Sequence, residues 1–158
     1  MRAALALFAF VAVLAGVAAQ AGAIEPFTRG TFAHIRAEHA SRPLVVHFWS
    51  LTCPPCIVEM PRLAAFARAR KDFDLVLVTT DPIEQSERVA ARLKSWALAD
   101  VPNFAYADAF VERLRFEVNR DWRGELPFTL LIKPDGSTRT IEGELNTQEL
   151  AAWLETRG

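Results

Sequence analysis

The strongest restriction on this chain is a pair of cysteines, the only two it has, spaced as Cys53-Pro54-Pro55-Cys56 just behind the run Leu44-Val45-Val46-His47-Phe48-Trp49. That run is short, β-branched and aromatic, with apolar residues on both parities, the pattern of a central strand covered on both faces. After the cysteines, Ile57, Met60, Leu63, Ala64 and Phe66 recur at helical spacing toward Lys71. Pro61 falls inside this pattern and is expected to kink the helix. Two neighbouring thiols exclude a disulfide-stapled small scaffold and any site that needs four thiolates.

The remaining segments alternate in the same way. A helix is expected from about Thr31 to Ala40, and a second buried strand from Asp74 to Thr80. Asp81-Pro82-Ile83-Glu84 has the order of a cap, an N1 proline and an acid at N3, so a helix should follow to about Ala97, with Val89, Leu93 and Trp96 on one face. A brief strand is expected at Phe104 to Tyr106, then a helix capped by Asp108 through Phe116, then a polar loop from Val118 to Glu125. Phe128 to Lys133 and Thr138 to Gly143 flank Pro134-Asp135-Gly136 and read as an antiparallel hairpin. Asn146-x-x-Glu149 opens a last helix with Leu150, Trp153 and Leu154 as its buried stripe. No strand is evident before Thr31. The order implies an α/β fold with a mixed central β-sheet and helices on both faces. With 158 residues, 51% of them hydrophobic, the chain suffices for one core and is short for two.

Arg2 followed by the small and apolar run Ala3 to Ala19 reads as an export leader, with small-x-small sites ending at Ala21 and Ala23. The expected organisation is therefore residues 1–23 as a signal peptide, or an uncleaved N-terminal anchor, and residues 24–158 as the folded domain. Either arrangement places the domain outside the cytoplasm. The net charge of −1 gives no basic excess for nucleic acid. No glycine-rich phosphate loop and no serine nucleophile elbow occurs.

At a helix N-terminus the exposed N–H groups and the dipole favour thiolate over thiol, which makes Cys53 the candidate nucleophile. Cys56, one turn further in, is the candidate resolving thiol. Metal binding and an inert structural disulfide are the alternatives. Zinc would need two further ligands, and His34, His39 and His47 lack the paired spacing of structural sites. His34 and His39 read as surface residues.

Val46-His47-Phe48-Trp49-Ser50-Leu51-Thr52-Cys53-Pro54-Pro55-Cys56 resembles the active-site strand and helix start of the thioredoxin superfamily. Leu126-Pro127-Phe128-Thr129-Leu130-Leu131-Ile132-Lys133-Pro134-Asp135-Gly136 is similar to the segment in which a cis-proline faces the disulfide. Cys56-Ile57-Val58-Glu59-Met60-Pro61 resembles the C-x-x-E-x-P run of the exported TlpA/ResA-like thiol-disulfide oxidoreductases. The segment between Asp81 and Glu117 resembles the helix-strand-helix insertion of that branch. The resemblance implies a thioredoxin fold and a thiol-disulfide oxidoreductase whose cofactor is its own Cys53-Cys56 disulfide, with no metal and no small-molecule cofactor. It implies clients that carry disulfides, such as an apocytochrome c or a metallochaperone, and a membrane thiol electron donor. It also implies a periplasmic location; with no long heptad pattern in the sequence, a monomer is the default. A periplasmic oxidase or isomerase, or a metal- or protein-binding module without turnover, are the rival readings.

By the same resemblance Pro127 is expected in the cis form, turning the Leu126 backbone toward the cysteines, and Glu59 is expected to influence their titration; otherwise Glu59 reads as a solvated helix residue. His47 stands where cytoplasmic thioredoxins usually carry Asp, so it is either a base for the resolving cysteine or a satisfied core histidine. Trp49, Pro54, Pro55 and Leu126 are taken for the surface that meets a client, although Trp49 also reads as a packing residue. If Cys53 is the N-cap, Pro54 and Pro55 fill N1 and N2; N1 suits proline, but at N2 it removes a donor that would stabilise a thiolate. A thiolate so deprived makes a less oxidising couple, which favours a reductant.

Overall fold

The computed structural model describes residues 22–156. Its elements are β1 (Ile24–Phe27), α1 (Thr31–Glu38), β2 (Leu44–Trp49), α2 (Pro54–Ala69), β3 (Asp74–Pro82), α3 (Ser86–Ser95), β4 (Asn103–Tyr106), α4 (Val111–Val118), β5 (Phe128–Ile132), β6 (Thr138–Glu142) and α5 (Thr147–Glu155). A 3-10 turn, Ile83–Gln85, joins β3 to α3. The leader expected over residues 1–23 lies outside the described residues apart from its last two positions.

The six strands form one sheet in the order β1-β4-β3-β2-β5-β6. The first four are mutually parallel, and the β5-β6 hairpin runs against β2. This is a mixed sheet with β2 at its interior, as the doubly apolar run requires. All six β2 residues are buried. Leu44, Val46 and Phe48 join Phe32 and Ile35 of α1 and Leu114 and Val118 of α4 in one core. Val45 and Trp49 join Met60, Leu63 and Ala64 of α2, Val89 and Leu93 of α3, and Leu150 of α5 in the other. His47 shares the parity of Val45 and Trp49, so the sheet's geometry turns it to the face that α2 covers.

Four local expectations need correction. A strand does precede Thr31: β1 pairs with β4 from Ile24↔Asn103 to Phe27↔Tyr106. Only Phe27 of its four residues is buried, so it shows no apolar pattern, and Pro26 is tolerated because β1 lies at the sheet edge. Asp81 and Pro82 do not cap a helix but continue β3, whose pairing with β4 reaches Pro82↔Tyr106. Asp108 accepts from the Phe110 N–H at 2.8 Å, an Asx turn ahead of α4, whose N-cap is Phe110. The segment from Val118 to Glu125 is not simply polar, because Trp122 is buried and stacks on Phe128 with ring centroids 4.4 Å apart. Elsewhere α2 is helical without a break past Pro61. Asn146 caps α5 by accepting from the Gln148 N–H at 2.8 Å. The expected helix-strand-helix insertion supplies α3, β4 and α4, and its strand lies between β1 and β3.

Candidate active site

The site lies where β2 ends and α2 begins. Trp49 closes the strand, Ser50 to Thr52 form a bend, and Cys53 is the N-cap of α2 in extended conformation. The bend is held at several points. Cys53 N–H donates to Ser50 O at 3.3 Å, and Thr52 N–H to Ser50 Oγ at 3.1 Å. Leu51 N–H donates to Asp81 Oδ2 at 2.7 Å, and the Thr79 hydroxyl donates to the same oxygen at 2.5 Å. Asp81 is thus spent on the loop before Cys53, which is why it does not cap the following helix.

Cys53 and Cys56 are joined by a disulfide with Cα atoms 5.3 Å apart. Cys53 is 7% exposed and Cys56 has no exposed surface. Pro54 and Pro55 occupy the first two helical positions and are exposed, as is Thr52. The Cys56 N–H reaches Cys53 Sγ at 3.3 Å, while the Ile57 N–H is used by Cys53 O at 3.1 Å. Of the four N–H positions that open this helix, two are proline nitrogens, and a single donor meets the sulfur.

Beneath the cysteines lies a buried ionisable pair. Glu59 is one turn along α2 from Cys56, on the same buried face, and only 2% exposed. It is not a solvated helix residue. His47 Nε2 stands 3.0 Å from Glu59 Oε1, an ion-pair distance without the alignment of a directed hydrogen bond. Glu59 Oε2 accepts from the Leu145 N–H at 2.7 Å. The other ring nitrogen, His47 Nδ1, is 2.9 Å from Thr129 Oγ1 on β5, where Thr129 lies directly opposite His47 in register. Strand, helix and hairpin therefore each contribute to one polar cluster in an apolar core.

The Leu126–Pro127 peptide bond is cis. Pro127 is buried and Leu126 is half-buried against the same core cluster that holds both cysteines. Trp49, one of the positions taken for the client surface, has no exposed surface and packs edge-on to Trp96 at 5.4 Å. Its place facing α2 follows from strand parity. Of the histidines away from the site, His34 lies 3.2 Å from Glu38 on the exposed side of α1, and His39 is held 2.8 Å from Asp74. Among the described residues no group of three or more His, Cys, Asp or Glu side chains gathers where a metal could be held. Sequence reasoning missed Asp81, Thr129 and the Leu145 N–H. The parity of β5 against β2 could have found Thr129 once the pairing was assumed.

A mixed sheet with a C-x-x-C pair at the end of its central strand, and an X-Pro peptide opening the next strand, defines the class. The chain has the thioredoxin-like fold of the thiol-disulfide oxidoreductases. No family model matches it. It is 28% identical over 123 residues to sporulation thiol-disulfide oxidoreductase A of Bacillus subtilis (strain 168), a match that takes in 70% of this chain and 66% of that protein. The chain thus spans just under two thirds of that relative's length. Among solved structures it is similar to a thioredoxin-related protein from Neisseria meningitidis serogroup B, with 28% identity, a TM-score of 0.60, and coverage of 73% of this chain and 84% of the other. A secreted Mycobacterium tuberculosis disulfide oxidoreductase homologous to E. coli DsbE shares the fold at 21% identity and a TM-score of 0.59, covering 75% of this chain and 84% of that one. The enzymatic relatives are thiol-disulfide oxidoreductases of the thioredoxin-like kind, as the site resemblance implies.

Proposed function

We propose that this protein is an exported, periplasmic thiol-disulfide oxidoreductase that reduces disulfides in client proteins. Cys53 thiolate attacks a client disulfide to form a mixed disulfide, and the client's other sulfur leaves as thiolate. Cys56 then attacks Cys53 Sγ, which closes the Cys53-Cys56 bond and releases the second client sulfur. A membrane thiol donor reduces the pair for the next cycle. Apocytochrome c or a metallochaperone with a cysteine pair suits this chemistry. The exposed Pro54 and Pro55 beside the slightly exposed Cys53 offer the contact surface, with Leu126 presenting backbone to an extended client segment next to Pro127. Glu59 and His47 serve the buried Cys56 as its proton acceptor.

The reductive direction rests on one observation: a single N–H, that of Cys56, meets Cys53 Sγ, because prolines fill the two preceding positions. A thiolate with few donors is a weaker acid's conjugate, and its disulfide is harder to reduce. The test is equilibrium titration of the pair against glutathione or dithiothreitol, with Cys53→Ser as control, beside an insulin-disulfide reduction assay. A potential near about −270 mV with Cys53-dependent turnover supports the reading. A potential near about −120 mV overturns it in favour of disulfide insertion.

A further inference from the structure

Of the four polar side-chain atoms of the buried pair, three are met by charge or backbone, and the fourth meets a hydroxyl. Thr129 has no exposed surface, and its Oγ1 lies 2.9 Å from His47 Nδ1 with no other hydrogen-bond partner among the described residues. A hydroxyl can either donate or accept, by rotating one bond. That property matters here. At 3.0 Å, His47 Nε2 and Glu59 Oε1 would repel as two bare lone pairs, so Nε2 is the ring nitrogen that carries the proton when His47 is neutral. With His47 neutral, Nε2 holds that proton and Nδ1 accepts from the Thr129 hydroxyl. With His47 cationic, Nδ1 also carries a proton and donates to the same oxygen. Nδ1 can be bare or protonated without losing its contact to Thr129, and no apolar residue at position 129 would allow this.

We propose that Thr129 is a positioning residue whose hydroxyl rotates so that the His47-Glu59 pair can take up and release a second proton as the Cys53-Cys56 pair cycles. The inference rests on the oxidoreductase reading above. When Cys56 attacks Cys53 Sγ, the Cys56–Cys53 bond forms, the bond from Cys53 to the client sulfur breaks, and the client leaves as thiolate with the electron pair. The proton of the Cys56 thiol goes to the buried pair and sits on Nδ1 against Thr129. The strand neighbours of His47 in register are Leu77 and Thr129, neither of which titrates. On α2, Glu59 faces it and Cys56 lies one turn before Glu59, while Asp81 on β3 is held by Leu51 and Thr79. Leu145, whose N–H holds Glu59, also lines an open cleft of about 470 Å³ with Arg62 and Glu144. The carboxylate end of the pair is therefore one residue away from solvent.

The test is heteronuclear NMR of the His47 ring against pH, in oxidised and reduced protein, for the wild type, Thr129→Val and Thr129→Ser. Valine keeps the shape and removes the hydroxyl; serine keeps the hydroxyl. A protonated Nδ1 without an acceptor is costlier than a neutral one, so the pH at which His47 gains its second proton should fall in the valine variant by about one unit or more. Serine should titrate as the wild type does, and the pH profile of Cys56-dependent turnover should move with the ring. A valine variant that titrates like the wild type overturns the proposal, as does a serine variant that titrates like valine. Should valine not fold, the wild type alone decides: a ring that stays neutral at every pH where the fold persists also overturns it. The ring titration does not require Cys53, so its failure is separable from loss of insulin reduction, which would instead remove the functional reading.

Discussion

His47 Nε2 lies 3.0 Å from Glu59 Oε1 with 0% and 2% of the two side chains exposed, so a strand histidine and a helix carboxylate face each other with no solvent between them. Two such groups are costly to bury singly and tolerable together, because each supplies the counter-charge or proton the other needs. The Leu145 N–H and the Thr129 hydroxyl complete the set. The coupling ties β2, α2, β5 and the segment before α5 at one point beneath the disulfide.

That coupling should be measurable by urea unfolding. His47→Leu leaves the Glu59 carboxylate buried beside an apolar residue and should cost about 3–5 kcal/mol. His47→Leu with Glu59→Gln should recover a good part of the loss, because the amide is neutral and its oxygen still accepts from Leu145. Additive effects would mean the two side chains do not interact.

Pro55→Ala should make the cysteine couple more oxidising. The substitution restores an N–H at the second helical position, a position from which N-cap side chains commonly receive a hydrogen bond. A charge-assisted bond to the Cys53 thiolate stabilises the reduced form, and the potential should rise by about 30–60 mV. The titration that fixes the wild-type potential reads the change directly. No rise, with the Cys53 thiol unchanged in acidity, would show that the prolines do not set the potential.

Where the determinants are local, the sequence is informative: β2, the start of α2, the β5-β6 hairpin and the Asn146 cap all follow from short runs and turn residues. Where they depend on pairing partners, it is not. Asp81-Pro82-Ile83-Glu84 carries the local signature of a helix start, yet pairing with β4 carries β3 through Pro82, and the Leu51 N–H claims the Asp81 carboxylate. β1 has one buried residue in four and exists because β4 offers it an edge. At the site, Cys53 and Cys56 stand out by spacing alone. The burial of Glu59 depends on Leu145, 86 positions away in the chain, and that of Trp49 on Trp96 in the segment after α3. Neither relationship has a local signal.

Asp81→Ala should loosen the approach to Cys53. The change strands the Leu51 N–H and frees the Thr79 hydroxyl at a largely buried position, at a cost of about 1–3 kcal/mol. Hydrogen exchange should report faster opening of the Leu51 amide in particular, while amides of the β5-β6 hairpin keep their protection relative to the new global stability. Uniform acceleration across the sheet would mean that Asp81 supports the fold in general and not the loop.

Trp122→Ala should be the most destabilising change outside the cysteine site. The indole stacks on Phe128 at 4.4 Å and 14°, meets Phe48 at 4.7 Å, and donates from Nε1 to Glu125 O at 2.9 Å. It therefore fills the core on the α1/α4 face and fastens the loop that leads into Leu126 and Pro127. Removing so large a buried ring should cost about 3–5 kcal/mol, read as a lowered denaturation midpoint. Trp122→Phe retains the ring contacts and loses the Glu125 hydrogen bond, so its cost should be about 1–2 kcal/mol. If the loop positions the Leu126 backbone for clients, the phenylalanine variant should reduce insulin more slowly at a temperature where it remains fully folded. Equal rates would confine Trp122 to stability.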